Sequence, residues 1–356
     1  MRDVASYFVK QGGKEWKGGR VVVEIDEYDN RYNPSLSLAA YERWRTQGIP
    51  IIITHQSADN MQFKDRAAVD KICIITMAPT SGALWPPGWV FAIYGCYADG
   101  FTGFLEWVAK TWDWKSKGSP RVASLTWDTA WGKSHLCAVP HAKRLNIEYV
   151  GTEYCAMVPI DVTPQVSRLK ELKADYVFSQ STAPIPVIMR DFKRLGFGGR
   201  LVAGLNTPTL EYISVVGPEA AAGTLAVRAF NTMGTWTPFD ESVKKITSAL
   251  GVTREPMTFY NNGVMSVCLL YDVVVRALNK VGDPAKLTGE VIYQALIQTK
   301  NCDTLEASAP LSFDAEQRRG TMRMHIEEVQ PDGKIKIVSD WFTAPDALKL
   351  YPECAM

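Results

Sequence analysis

Short apolar runs set the rhythm of this chain. Each ends in a cluster of small or polar residues, and each is followed by a helix-like stretch. The runs cover residues 21–25, 49–54, 72–76, 122–126, 176–179 and 201–204, and the clusters behind them cover 26–30, 55–60, 77–82, 127–132, 180–184 and 205–208. Such runs alternating with helices predict the buried parallel strands of an α/β fold. Ligands of these sheets bind beyond the carboxyl ends of the strands, so function is expected in the clusters. None of the clusters carries an obvious catalytic group.

The intervening pattern fills in the rest. A helix opened by Asn33-Pro34-Ser35 runs to about residue 47, with Gly48 as its stop. Further helices are predicted near 63–71, 98–112, 133–145, 164–172, 185–195 and 238–250, and further strands at 90–94, 148–154 and 224–230. Residues 261–281 read as the longest helix, apolar on most sides and therefore buried. Around Pro331-Asp332-Gly333 the stretches 322–329 and 334–341 read as a β-hairpin. The chain opens on a helix tail closed by Gly12-Gly13, with no strand before it. A βα unit would place one there, so the expectation is either a truncated reading of a longer product or a sheet lacking one strand.

Composition narrows the function classes. With 356 residues the chain accommodates two lobes with their own cores. A formal charge of +1 offers no one-sign field for nucleic acid or an acidic membrane surface. No apolar stretch reaches the roughly 20 residues that span a bilayer. Seven cysteines exclude a fully paired intrachain set and leave one or two bridges open; Cys73 and Cys268 read as buried apolar fillers. His135, Cys137 and His141 match no standard zinc spacing. No phosphate loop, HExxH or GxSxG occurs. Lys110 to Lys117, interleaved with Trp112 and Trp114, read as a solvated helix end with snorkelling lysines. No cofactor or metal is expected.

The order of many weak motifs resembles the type I periplasmic ligand-binding proteins, nearest the leucine/isoleucine/valine-binding branch of ABC importers. It is carried by Gly12-Gly-Lys-Glu-Trp-Lys-Gly-Gly19 with the run to Asn30, then Asn33-Pro34, then Thr76-Met-Ala-Pro-Thr-Ser-Gly-Ala-Leu84. Asp128-Thr-Ala-Trp-Gly132, Ala174-Asp-Tyr-Val-Phe178, Arg190-Asp-Phe-Lys-Arg-Leu-Gly-Phe197, Gly223-Thr-Leu225 and Leu311-Ser-Phe-Asp314 continue it across nearly the whole chain. The resemblance implies two Rossmann-like lobes joined by three crossovers, with the ligand in the cleft between them. Matching segments puts one lobe at 1–97 with 229–322 and the other at 98–228 with 323–356. In that family a strand precedes the first helix, and it is missing here.

The same resemblance implies the ligand-binding positions. Ser57, Ala78 and Thr80 match groups that meet a ligand carboxylate, where small residues let backbone N–H groups approach. Serine and threonine there also fit helix caps, and one residue can do both. Trp131 matches an aromatic wall, Thr182 (with Ser181) a loop contact, and Tyr260 (with Phe259) a lid; His55, Gln56 and Tyr94 are looser candidates. Asn206 stands in Leu205-Asn206-Thr207, where amino-acid binders carry an acid that pairs with the ligand ammonium. An unpaired buried ammonium costs several kcal/mol. A neutral or carboxylate-bearing ligand without an amine, or an aromatic or hydrophobic compound, is therefore expected, with a branched-chain amino acid as an alternative.

The resulting expectation is a non-enzymatic, extracytoplasmic solute-binding protein that closes on a small molecule and docks on ABC transporter permease subunits. A sensor of the same fold is one rival. An α/β enzyme using Asp128 or Asp59 is another, though Asp128 reads better as a helix cap.

Overall fold

The computed structural model describes residues 1–253 and 257–355. Residues 254–256 of the expected first lobe and 356 of the second lie outside the described residues. The chain divides into two compact units, Met1–Cys96 with Trp236–Thr321, and Tyr97–Thr235 with Met322–Met356.

The first unit opens with the helix Arg2–Lys10 and an antiparallel hairpin of β1 (Lys14–Trp16) and β2 (Gly19–Val21). This corrects the parallel strand expected at 21–25. Beyond Val21 no ladder partner is found among the described residues, and residues 22–25 alternate between exposed and half-buried. The Val23 N–H donates instead to a side chain, Tyr271 Oη at 3.1 Å, so its backbone is satisfied outside any ladder. The parallel sheet is instead β3 (Ile51–Thr54), β4 (Cys73–Thr76) and β5 (Val90–Ala92), with β4 in the centre.

Asn33 caps the helix Pro34–Thr46 by accepting the Ser35 N–H at 2.9 Å. The next helix is Ser57–Asp70, six residues longer at its start than the apolar pattern indicated, because its first turns are polar. It closes at Lys71 in the left-handed conformation, φ 58°. The helix Gly289–Ile297 starts hard against that corner: a Cβ on Gly289 would fall 1.6 Å from the Lys71 carbonyl oxygen. The helix Tyr260–Val281 is the buried axis of the unit, with Val264, Met265, Val267, Leu269 and Val273 fully inaccessible.

The second unit holds one mixed sheet. Its parallel strands are β6 (Arg121–Trp127), β7 (Glu148–Cys155), β8 (Tyr176–Ser179), β9 (Arg200–Ala203) and β10 (Leu225–Arg228). The antiparallel β11 (Arg323–Val329) pairs with β10 and with β12 (Ile335–Ile337), and β13 (Phe342–Thr343) also pairs with β11. The expected closing hairpin is therefore present with a shorter second arm. Phe101 and Phe104 of the helix Tyr97–Thr111 pack on Phe178, with ring centres 4.9 and 5.7 Å apart. Val166 and Leu169 join Ile185, Ile188 and Met189 in a second layer of core with Val177 and Leu201.

The helix expected at 133–145 is broken into Ala130–Lys133, a single turn Leu136–Ala138, and Pro140–Arg144. Proline lacks an N–H and clashes with the preceding turn, so Pro140 begins a helix and cannot continue one. Cys137 is bonded to Cys354, while Cys73 and Cys268 are buried thiols as expected. In the 110–117 stretch both indoles are tied back to the main chain, Trp112 to the Gly118 carbonyl (2.8 Å) and Trp114 to that of Ala109 (2.9 Å). No described helix is long and apolar enough to cross a membrane.

Candidate functional site

In the first unit the carboxyl ends of β3 and β4 are wired together by Asn60, which is fully buried. Its Nδ2 donates to Thr76 Oγ1 (2.7 Å) and to the Ala78 carbonyl (2.8 Å), and its Oδ1 accepts from Thr54 Oγ1. The Ala78 N–H donates to Thr76 Oγ1 at 2.9 Å. Both main-chain groups of Ala78 are thus engaged inside the protein, and the open N–H expected there is not available. What the loop offers are hydroxyls. Ser57 Oγ makes only a long, 3.5 Å contact with the Ala78 carbonyl, and Thr80 Oγ1 is buried without a hydrogen-bond partner.

Neither hydroxyl caps a helix through its side chain. Ser57 lies inside its helix, whose cap position is Gln56, and Thr80 occupies the cap position of Ser81–Leu84 without a side-chain bond. Tyr260 begins the helix Tyr260–Val281 and is half-buried. Its neighbour Phe259 sets its ring edge-on to exposed His55, with centres 5.4 Å apart. Tyr94 is fully buried behind the same loop, donating to the Met77 carbonyl (2.7 Å) and accepting from Asn262 Nδ2 (3.2 Å). Gln56 accepts from Asn30 Nδ2 at 2.8 Å. Asp59, buried one turn into the helix, has its carboxyl pushed up by desolvation, partly opposed by Ser37.

In the second unit Trp131 sits edge-on to Trp127 (5.2 Å) and to Tyr97 (5.9 Å). Its indole N–H is buried without an acceptor. Asn206 is 5% exposed, at φ 63°, a left-handed conformation that asparagine tolerates better than most residues. Its Nδ2 lies 3.5 Å from Tyr97 Oη. Trp131, Tyr97 and Asn206 therefore gather in one place. Thr182 stands half-buried just before the helix Pro184–Arg194, its carbonyl accepting the Ile185 N–H (2.9 Å). Ser181 is turned inward, its Oγ 2.8 Å from Ser179 Oγ. Asp128 is not a cap: Thr129 accepts the Gly132 N–H (3.1 Å), while exposed Asp128 pairs with Lys133 at 2.5 Å.

Sequence reasoning missed Asn60, Tyr97, Gln180 and Arg228. Arg228 had a signal, a charged residue ending an otherwise apolar strand. Gln180 and Asn60 lay within the polar clusters without standing out.

One chain of groups has the residue types of a nucleophile and base. Ser124 Oγ lies 2.9 Å from His135 Nε2 and accepts from Tyr149 Oη at 2.9 Å. Ser124 and His135 are fully buried, and burial pushes the His135 pKa down to about 3. Both side chains are closed off from solvent inside the second unit. The three residues weighed as metal ligands have other partners. Cys137 is in the disulfide, His135 holds Ser124, and His141 lies between Tyr351 (2.8 Å) and Glu106 (3.0 Å). Among the described residues no group of three or more His, Cys, Asp or Glu is placed to hold a metal ion.

These parallel-stranded units, with polar groups gathered at strand ends, have the type I periplasmic-binding-protein fold. Residues 1–334 match the family model described as periplasmic binding protein, and the chain belongs to that family. A search of curated proteins by sequence finds no match. Among solved structures, the chain is similar to a branched-chain amino acid ABC transporter protein from Thermus thermophilus with bound valine. The two share 22% identity over 98% of this chain and 92% of that one, with a TM-score of 0.85. A solute-binding protein of an ABC transporter from Rhodopseudomonas palustris BisB5, in complex with 3,4-dihydroxybenzoic acid, shares 20% identity over 98% and 93%, TM-score 0.77. Another from R. palustris, in complex with 4-hydroxybenzoate, shares 18% over 97% and 92%, TM-score 0.76. At such identities the likeness speaks to fold.

Proposed function

We propose that this chain is the extracytoplasmic solute-binding component of an ABC importer, capturing a small organic ligand by hinge closure and delivering it to permease subunits. The ligand is a carboxylate, or an aromatic or hydrophobic compound, without an α-ammonium group. Family membership supports the binding role. The Cys137–Cys354 bond supports an oxidising, extracytoplasmic compartment.

The observation that carries the ligand class is Asn206, buried beside Tyr97 and uncharged where an ammonium would need a carboxylate; close by, the Trp131 N–H is buried without an acceptor. A buried donor of this kind is satisfied by a ligand oxygen. An ammonium brings only more donors, and Asn206 lacks the charge to hold it. Ser57 and Thr80 add hydroxyls suited to a carboxylate, and the indole faces supply aromatic surface. Two of the similar structures hold hydroxylated benzoates and one holds valine, so the family fold admits both classes.

Calorimetric titration with 4-hydroxybenzoate, L-valine and L-leucine tests this reading. The aromatic acid is expected to bind and the two amino acids are not; tight binding of either amino acid overturns the ligand class. Trp131→Phe keeps an aromatic face, though a smaller one, and removes the donor; it is expected to weaken the aromatic acid at least about tenfold, the worth of one hydrogen bond.

A further inference from the structure

The loop that follows β9, residues 204–209, is buried throughout and has no regular secondary structure. Buried carbonyls in such a loop must find donors, because each one left bare costs free energy comparable to a lost hydrogen bond. Here side chains from the flanking strands supply them. Gln180, just past β8, donates through Nε2 to the Leu205 carbonyl. Arg228, the last residue of β10, donates through Nη1 to the Gly204 carbonyl (3.3 Å) and through Nη2 to the Thr207 carbonyl (2.8 Å) and Thr209 Oγ1 (3.2 Å). Its planar fork therefore grips the loop on both sides of Asn206.

A fully buried guanidinium needs a counter-charge, and β11 provides it. Glu327 Oε2 lies 3.6 Å from Arg228 Nε, with both side chains inaccessible to solvent. The carboxylate is itself fixed by Thr232 Oγ1 (2.8 Å), the Thr232 N–H (3.3 Å) and His325 Nε2 (3.1 Å). The β10–β11 register, with Arg228 opposite His325 and Ala226 opposite Glu327, sets these groups on adjacent strands. The fold spends a buried ion pair on a six-residue loop whose one outstanding member is Asn206 in a left-handed conformation.

We propose that Arg228, held by Glu327, is the positioning residue of the ligand-binding loop: its fork fixes Gly204–Thr209 so that Asn206 stands beside Tyr97. The inference rests on the ligand site proposed above around Trp131, Tyr97 and Asn206, yet the local geometry can be read without any ligand. Lysine in place of Arg228 keeps the charge and loses the planar fork, so the two contributions separate.

Backbone hydrogen exchange on the full-length protein tests it. In R228K and R228Q alike, the amides of residues 204–207 and 209 are expected to exchange about tenfold faster than in the wild type, while those of β6 and β8 keep their protection. Unchanged exchange of the loop in R228K overturns the proposal, because charge alone then suffices. An equal rise throughout β6 and β8 also overturns it, because Arg228 then serves the whole core. Should both Arg228 variants fail to fold, T209V decides. It removes one acceptor of the fork and leaves the ion pair, and is expected to speed loop exchange about threefold; no change overturns the proposal. Titration of the same variants with 4-hydroxybenzoate is a separate readout. A wild type that does not bind it counts against the ligand class and leaves the exchange result standing.

Discussion

Asn60, Arg228 and Gln180 show how a polar side chain can be more informative buried than exposed. Each satisfies main-chain carbonyls at a strand end, and each leaves a neighbouring residue displayed in a fixed pose. His135 makes a different residue-scale point. Burial holds its imidazole neutral, with a pKa lowered to about 3, whereas an unfolded histidine titrates near 6.5. Between these values the unfolded chain binds the extra proton. The stability is therefore fully present above about pH 6.5 and is lost on acidification, with a slope of up to about 1.4 kcal/mol per pH unit. H135Q keeps a hydrogen-bonding group opposite Ser124 and cannot take up the proton. Urea midpoints measured between about pH 6 and pH 4 should fall less steeply for the variant than for the wild type. Parallel curves would remove His135 from the acid response.

At the scale of elements, the repeating apolar runs were readable because a strand buried on both faces has few alternatives, and β3, β4, β6, β8 and β9 lie where the pattern puts them. The failures have physical causes. The 21–25 run has strand composition but, among the described residues, lacks ladder partners past Val21. The 133–145 stretch has helical composition but carries Pro140, and the helix Ser57–Asp70 begins on polar residues that periodicity passes over. Candidate binding residues could be read as types at strand ends, and Trp131 and Asn206 do share Tyr97 as a neighbour. That the Ala78 amide is consumed by Thr76 could not be read, because it depends on a side-chain rotamer. Nor does the sequence announce that Gly289 abuts the Lys71 carbonyl. A methyl group there meets backbone on a strand-leading corner, and overpacking of this kind costs up to about 3 kcal/mol. G289A should therefore lower the unfolding free energy from urea titration by up to that amount; a variant as stable as the wild type would mean that the helix Gly289–Ile297 can shift outward freely.

Across the whole molecule, the Cys137–Cys354 bond joins residues 217 apart in sequence and fastens the C-terminal stretch to the second unit. The same stretch is held by His141 on Tyr351 and by Asp99 accepting the Ala347 N–H at 2.9 Å. A crosslink closing so long a loop limits the unfolded chain and is worth about 2–5 kcal/mol. C354S is expected to melt lower than the oxidised wild type and close to the wild type in dithiothreitol. Equal melting of all three would assign the anchoring to the hydrogen bonds alone.

Both units are assembled from distant stretches of chain: the first is complete only at Thr321, and β10 of the second waits for β11, which begins at Arg323. A nascent polypeptide still short of those residues on the ribosome has neither core finished. Neither unit can therefore close its core before synthesis has passed residue 323, and until then the apolar strands already made stay without their final partners.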